Sequence, residues 1–225
     1  MSGAGAPAAV AVVDLGLGNL GSVLQALARA GGAPRLTADA DEIALAPRVI
    51  LPGVAAFGLG MERAERLGLR NALQRALARG APVLGICLGM QLLFEQGSED
   101  GVRPGLGLLP GQVTRLPEGV AIPHIGWQRL RLDRPSPLLD PARPPWSYFA
   151  NAYRCEAPAA ITCATAEHEG PRARVAIAAV VSRGTLHGVQ FHPEKSAAGG
   201  RALLSRFLAL PAGAPVDGAH AGART

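Results

Sequence analysis

A cysteine between two glycines is the residue of this sequence best placed to act as a nucleophile. The segment Gly85-Ile86-Cys87-Leu88-Gly89 follows a short apolar run and precedes a helical pattern. The glycines allow a sharp strand-to-helix turn, which holds a thiol at a helix start beside backbone N–H groups that can face an oxyanion. A lone cysteine is also commonly a small buried hydrophobe. The spacing alone leaves nucleophile and core residue as equal alternatives.

Groups for acid-base chemistry occur in the segment FHPE at 191–194. Residues two apart in an extended chain point to the same side, so Glu194 can orient the imidazole of His192 and stabilise its imidazolium form. Among the other histidines, the sequence places His168 in a charged turn, His187 in a strand and His220 in the tail. We therefore interpret His192 and Glu194 as the partners of a reactive Cys87.

A third segment, Leu51-Pro52-Gly53-Val54, ends a short apolar run. In a parallel sheet this run would lie beside the strand that leads to Cys87 and could offer a backbone N–H to developing negative charge. An ordinary Pro-Gly turn also explains the segment. When the segment is considered alone, that explanation is preferred.

The elements that must position these groups alternate between strand and helix in the first half of the chain. Apolar runs at 8–13, 48–51 and 82–86 predict buried strands, and helical patterns follow residue 19 and occupy 67–79 and 88–95. This order predicts βαβ units with a parallel sheet covered on both faces. Short segments separated by Pro and Gly predict antiparallel strands at 112–116, 126–132, 146–153, 161–165, 174–182 and 185–190, before a final helix at 196–210 with Ser196 as its N-cap.

Composition restricts the class of protein. The 225 residues are 48% hydrophobic and 17% charged, which excludes a disordered or collagenous chain. The net charge is +5, but the cations are scattered, so a nucleic-acid surface is not predicted. Three cysteines without metal-ligand spacing argue against a disulfide framework. Because no apolar run reaches the length of a membrane span and the N-terminus lacks a basic region, we expect a cytoplasmic protein.

A glycine motif offers a competing hypothesis. The segment GLGNLG at 16–21 matches G-x-G-x-x-G after a predicted strand, and Asp39 lies near the spacing of a ribose-binding acid. A dinucleotide-binding protein is therefore an alternative. Glycine-rich turns serve many tight strand-to-helix connections, however, so the motif has low specificity.

Five segments occur together in a fixed order: VDLGLGN, LPGVAAFG, PVLGICLGMQLLFE, IPHIGWQ and GVQFHPEKS. With them the chain resembles the class I (triad) glutamine amidotransferases and, more narrowly, the glutaminase subunits of imidazole glycerol phosphate synthase. The resemblance covers residues 10–210. It implies a flavodoxin-like fold with a mixed, mostly parallel central sheet, flanking helices and a smaller antiparallel sheet. Other class I amidotransferases, of purine, pyridoxal phosphate or anthranilate synthesis, are the nearest alternative.

The resemblance also implies roles for individual residues. Cys87 attacks the glutamine carboxamide, His192 moves protons and Glu194 orients His192, without a metal or other cofactor. Backbone amides of Val54, after Gly53, and of Leu88 form the oxyanion hole. The residues that match positions holding the glutamine head group are Gln91 and Glu99. Ammonia would pass to a (β/α)8 cyclase subunit, giving imidazole glycerol phosphate and aminoimidazole carboxamide ribotide in histidine biosynthesis.

The partner surface is predicted from one unusual lysine. Every other cation of the chain is Arg, yet Lys195 directly follows the HPE segment, and a compact ammonium suits a partner carboxylate. The resemblance implies that Lys195, His124 and Trp127 lie at one interface, with Trp127 as the aromatic anchor. We expect one amidotransferase domain at 1–211 and a disordered tail at 212–225.

Two departures from the family pattern bear on these roles. Ala55 stands where the second glycine of PGVG is usual, which restricts a peptide flip in the oxyanion loop. Asn151-Ala152 replaces a common His-Ser pair close to the glutamine site.

Overall fold

The computed structural model describes residues 7–211, so the predicted tail at 212–225 lies outside the described residues. Its strands are β1 Ala8–Val13, β2 Gly32–Thr37, β3 Val49–Leu51, β4 Val83–Ile86, β5 Gln96–Gly97, β6 Arg103–Pro104, β7 Gln112–Arg115, β8 His124–Arg129, β9 Arg131–Leu132, β10 Trp146–Asn151, β11 Tyr153–Glu156, β12 Thr162–Glu169, β13 Arg174–Arg183 and β14 Leu186–Val189. Its helices are α1 Leu20–Arg29, α2 Ala40–Leu45, α3 Phe57–Leu67, α4 Leu69–Ala78, α5 Leu88–Leu92 and α6 Ala197–Leu208, with a 3-10 helix at Pro193–Lys195. No helix between residues 7 and 211 is long and apolar enough to cross a membrane.

The central sheet has eight strands in the order β2-β1-β3-β4-β14-β13-β12-β9. Pairing is parallel from β2 to β14 and antiparallel from β14 to β9. Successive residues of a strand face opposite sides, so Val12 contributes to one apolar core and Val13 to the other. One core includes side chains of α2 to α5, and the other those of α1 and α6. The predicted mixed sheet with helices on both faces is confirmed.

Two smaller sheets complete the fold. Strands β8 and β10 form an antiparallel pair, and β11-β7-β5-β6 form a four-stranded sheet in which β5 and β7 run parallel. The predicted smaller sheet is therefore present, but it is divided in two and one part is mixed.

Four helices, α2 to α5, differ from the sequence expectation. Helices α2 and α3 were not predicted, since α3 carries Gly58 and Gly60, which weaken a helical pattern. Gly60 is there for packing, because a Cβ at that position would lie 3.1 Å from Leu88 Cδ2. The helix expected at 67–79 is α4, which starts after Gly68 in the left-handed conformation, and the helix expected at 88–95 ends at Leu92.

The ends of three parallel strands meet at one edge. Strand β4 lies between β3 and β14, with Leu51 opposite Gly85 on one side and Val189 opposite Ile86 on the other. The segment 185–190 was expected to be an antiparallel strand. It contains β14, which is antiparallel to β13 but parallel to β4. Because β14 is parallel to β4, the residues that follow both strands emerge at the same edge.

Candidate active site

Cys87 occupies the turn between β4 and α5. Its backbone has φ 53° and ψ −111°, a conformation that side-chain-bearing residues rarely adopt and that costs about 1–3 kcal/mol. Two backbone bonds hold it: Cys87 N donates to Val189 O at 2.8 Å, and Gln91 N donates to Cys87 O at 3.1 Å. The expected elbow is present, and the surrounding strand and helix fix its strained residue.

The glycines on either side of Cys87 are required by close packing. A Cβ at Gly89 would lie 1.7 Å from the carbonyl oxygen of Leu51, and a Cβ at Gly85 would lie 2.7 Å from the Gly89 carbonyl carbon. The start of α5 therefore lies directly against the end of β3. Only glycine permits that approach, and it brings the two segments predicted to stabilise an oxyanion together.

His192 and Glu194 follow β14 and form a buried pair. Their side chains are 3% and 6% exposed, and Nδ1 of His192 lies 2.8 Å from Oε1 of Glu194. Burial lowers the pKa of His192, but hydrogen bonds and charges of Cys87 and Glu194 raise it more, from 6.5 to about 10. With Nδ1 committed to Glu194, Nε2 is the ring atom left for Cys87. Because Cys87 is close enough to raise the pKa of His192, the three residues that the sequence singled out lie together.

Ser196 is the N-cap residue of α6, as expected, but its side chain bonds elsewhere. We expected its side chain to cap the final helix, but it makes no capping bond to α6. Its Oγ donates to His192 O at 2.6 Å and accepts from Tyr148 N at 2.9 Å. His192 N in turn donates to Tyr148 O at 2.9 Å. Ser196 thus fixes the His192 turn to β10, a long-range contact that a local capping pattern cannot reveal.

The segment after β3 lies beside the start of α5. A Cβ at Gly53 would lie 3.1 Å from Leu88 Cδ2, and a Cβ at Gly18 would lie 3.2 Å from the backbone nitrogen of Val54. Pro52 and Gly53 are buried, whereas the Val54 side chain is 56% exposed. The amides of Val54 and Leu88 therefore belong to adjoining segments at the same edge of the sheet.

Gln91 and Glu99, the predicted glutamine-binding residues, occupy different surroundings. Gln91 is buried one helical turn after Cys87, and its Nε2 donates to Tyr153 O at 3.2 Å and to Gln190 Oε1 at 3.1 Å. Glu99 is half-buried, and its Oε2 accepts from Phe57 N at 2.6 Å. Glu99 thereby caps α3, whose N-cap Ala56 has no side chain to do so.

His124 does not lie on the surface, contrary to the expectation that it contributes to an interface. It is 1% exposed, and its ring stacks between Phe149 at 4.7 Å and His168 at 3.9 Å, measured between ring centroids. The pKa of His124 is lowered to about 4, mainly by burial and to a smaller extent by the charge of His168. The expected charged turn at His168 is also wrong, since His168 is buried in β12 and its Nε2 lies 2.6 Å from Ala121 O.

Trp127 and Lys195 do share a surface. Trp127 is 46% exposed and packs edge-to-face on Tyr148 at 5.9 Å, and Nζ of Lys195 lies 5.9 Å from the centre of the same ring. Ile125, two residues before Trp127 on β8, is 64% exposed. We call Ile125, Trp127, Tyr148 and Lys195 the aromatic surface.

The glycine motif at 16–21 has local structural roles. Gly16 N donates to Asp14 Oδ1 at 2.7 Å, and the side chain of Asn19 caps α1 by accepting from Ser22 N. Asp39, the candidate ribose ligand, caps α2 by accepting from the amides of Asp41 and Glu42 at 2.8 and 2.9 Å. One carboxylate oxygen of the acid that the dinucleotide hypothesis needs is therefore already used to cap a helix.

The remaining cysteines are buried in strands. Cys155 lies in β11 and Cys163 in β12, with 3% and 4% exposure. The pKa of Cys155 is raised, mainly by burial and to a smaller extent by the charge of Cys87. Unlike Cys87, neither lies at the start of a helix, so neither has the environment expected of the nucleophile.

Comparisons with known proteins agree with this geometry. Residues 11–210 match the family model for class I glutamine amidotransferases. Two relatives named imidazole glycerol phosphate synthase subunit HisH are similar: that of Symbiobacterium thermophilum is 45% identical over 89% of this chain and 93% of its own, and that of Geobacillus kaustophilus is 41% identical over 91% and 98%. Among solved structures, one titled as a glutamine amidotransferase has a TM-score of 0.67 at 19% identity, covering 88% of this chain and 96% of its own. PurLQS from Thermotoga maritima has a TM-score of 0.66 at 20% identity, covering 89% and 97%, and both support the fold alone. The family model matches nearly all the described residues, and the relatives are this similar over most of their length. The chain therefore belongs to the class I glutamine amidotransferases, in the family of the HisH subunits.

Proposed function

We propose that the chain is the glutaminase subunit of an imidazole glycerol phosphate synthase and that Cys87 is its nucleophile. The observation that carries the chemistry is the parallel pairing of β14 with β4, which brings the buried His192–Glu194 pair to the strained turn at Cys87. The names of the relatives support the choice of synthase among the amidotransferases of this class.

Hydrolysis proceeds in two steps at this turn. Sγ of Cys87 attacks the carboxamide carbon of glutamine, His192 transfers the proton on Nε2 to the departing nitrogen, and a glutamyl thioester and ammonia form. A water molecule then attacks the thioester while neutral His192 takes a proton from it. This step releases glutamate and restores the thiolate of Cys87. Because Cys87 and Glu194 raise the pKa of His192 to about 10, the imidazolium that donates the first proton is present at neutral pH.

Negative charge on the carbonyl oxygen needs backbone donors. The amides of Val54 and Leu88 are proposed for this role because their segments adjoin at the edge where Cys87 lies. Ala55, in place of glycine, restricts rotation of the peptide that must turn toward the oxygen. We therefore expect low glutaminase activity in the isolated chain and activation when a partner rearranges this loop.

Gln91 and Glu99 are proposed to hold the head group of glutamine. Both amide protons of Gln91 Nε2 are used within the protein, which leaves its Oε1 to accept from the substrate ammonium. Glu99 lies at the start of α3 with one carboxylate oxygen bonded to Phe57 N. Its charge suits the same ammonium group.

The aromatic surface is proposed to bind the cyclase subunit, a (β/α)8 barrel that receives the ammonia. Ile125 and Trp127 are apolar side chains exposed on one side of β8, and exposed aromatic residues are frequent interface anchors. Tyr148 connects this surface to the chemistry, since its carbonyl accepts from His192 N and its amide donates to Ser196. A partner that moves Tyr148 therefore acts directly on the His192 turn.

The decisive experiment measures glutamate released from glutamine by the purified chain, with and without a cyclase subunit carrying its ribulosyl phosphate substrate. We expect stimulation by a factor of about 10²–10³, the effect of completing an oxyanion hole. Full activity without the partner would contradict the proposed activation, and no glutamate under either condition would contradict the proposed function.

A further inference from the structure

Gln190 is a buried polar residue to which neither the sequence nor the proposed reaction has assigned a role. It follows β14, two positions before His192, and is 0% exposed. Its backbone nitrogen donates to Ala179 O at 3.0 Å, so the central sheet fixes its position. Its side chain lies between Gln91 and Cys87.

The orientation of both amides follows from one backbone carbonyl. Tyr153 O can only accept, so the atom of Gln91 that faces it is Nε2, a donor. The same Nε2 lies 3.1 Å from Gln190, which must therefore present Oε1. The amide nitrogen of Gln190 is then left facing Sγ of Cys87 at 3.8 Å.

We propose that Gln190 is a positioning residue of the glutaminase site: its oxygen anchors the amide of Gln91, and its nitrogen donates to the sulfur of Cys87. The proposal rests on the proposed function, because it concerns the same thiol. It assigns two separable tasks to one side chain, one for the substrate residue Gln91 and one for the nucleophile.

The two tasks have different consequences. A donor to a thiolate favours the charged sulfur, so its loss raises the pH needed to form the nucleophile. The titratable groups around Sγ are His192, with Glu194 behind it, and Cys155 in β11. An uncharged substitution at Gln190 adds no titratable group to this set, which makes the pH dependence of Cys87 reactivity in such a variant a specific readout.

Two substitutions separate the tasks. Gln190→Met removes both the oxygen and the donor, whereas Gln190→Glu keeps an oxygen for Gln91 and replaces the donor with a second oxygen. Gln112→Met is the matched control, since Gln112 bonds to Gln96 and Glu156 in the outer sheet. Each variant is assayed for alkylation of Cys87 by iodoacetamide between pH 5 and 10, located by peptide mass spectrometry, and for kcat and KM with the cyclase subunit bound.

For Gln190→Met we expect the pH of half-maximal alkylation to rise by about one unit, the rate at neutral pH to fall about tenfold, and KM for glutamine to rise. In Gln190→Glu the pH midpoint should also rise and kcat should fall at least tenfold, while KM stays within about threefold of the parent. The control should match the parent protein.

An unchanged alkylation profile in either folded variant would overturn the proposal, even with reduced activity, because a merely structural role predicts no shift in pH midpoint. Should Gln190→Met fail to fold by circular dichroism, the uncharged Gln190→Leu takes its place, because a raised midpoint in Gln190→Glu also follows from the charge of the new carboxylate. If the parent complex releases no glutamate but the pH midpoint shifts as expected, the proposed function fails and the assignment of Gln190 to the thiol stands.

Discussion

The Cys87 turn and the aromatic surface are adjacent regions of this molecule, yet they are built in opposite ways. Around Cys87, the backbone is strained, the glycines have no room for a side chain, and the His192–Glu194 pair is buried. The aromatic surface consists of exposed side chains in loose contact, with ring and ammonium separations of 5.9 Å. Rigid, buried geometry suits a reaction centre, whereas exposed apolar side chains suit a surface that another protein covers.

The difference teaches where substitutions act. Changes at the turn remove chemistry or destabilise the fold, because each atom there has close neighbours. Changes on the aromatic surface are expected to leave the fold and the thiol intact and to alter only the response to the proposed partner. Tyr148 belongs to both regions through its backbone, which bonds to the His192 turn, and through its ring, which lies against Trp127.

Replacing the nucleophile is the strongest way to break this comparison. Cys87→Ala should reduce glutaminase activity about 10³-fold or more in the complex while leaving thermal unfolding little changed, since a small side chain is lost. A diazo-ketone analogue of glutamine should label Cys87 in the parent and neither Cys155 nor Cys163. Cys163→Ala is the control and should keep both labelling and activity. Labelling elsewhere, or activity in Cys87→Ala, would refute the assignment.

Glu194→Gln tests the buried pair and should lower kcat about 10²–10⁴-fold, because His192 loses its orienting charge. Hydrogen bonds and charges of Cys87 and Glu194 raise the folded pKa of His192 from 6.5 to about 10, so these contacts stabilise the protein fully below pH 6.5, and their contribution is lost as the pH rises through about 10. Urea unfolding of the parent at pH 6 and pH 10 should show this loss, and the variant should show less of it.

The exposed Glu95→Gln is the matched control and should behave like the parent in both assays. Equal pH dependence in Glu194→Gln and the parent would contradict the linkage.

Gly89→Ala tests the packing of the turn without changing a reacting group. The added Cβ would meet Leu51 O at 1.7 Å, so we expect a loss of about 3 kcal/mol in the free energy of unfolding, measured in urea. Gly21→Ala in α1 is the control, since its Cβ would have only the Asn19 side chain near it, at 3.6 Å, and it should be neutral or stabilising. Equal stability of the two variants would show that the turn is less rigid than its contacts indicate.

The smallest effect is expected on the aromatic surface. Trp127→Ala and Lys195→Ala should weaken cyclase binding about tenfold, or reduce its stimulation of glutaminase to a similar extent, with unfolding and Cys87 alkylation unchanged. Leu45→Ala provides a control, because Leu45 is 56% exposed and lies in α2, away from the aromatic surface. Binding measured by calorimetry that is the same for the parent and both variants would make the docking assignment wrong.

The sequence by itself determined the local features of the site. Glycines around a cysteine define a sharp turn, and a histidine two residues from a glutamate in an extended segment places their side chains on one side. These relations depend only on neighbouring residues, so the turn at Cys87 and the His192–Glu194 contact were predicted. Strand and helix alternation was predicted for the same reason, except where packing overrides propensity, as at Gly58 and Gly60 in α3.

Only the tertiary structure decided which segments meet. Gln190 and Cys87 are 103 positions apart, and nothing in either segment specifies that β14 lies parallel to β4. Tertiary packing also decides which side of β8 is buried. Hydrophobicity alone would bury Ile125 and Trp127, but in the structure His124 is buried and those two side chains are exposed. Pairing between distant strands and the choice of buried face depend on what the whole chain packs against, so a local pattern does not contain them.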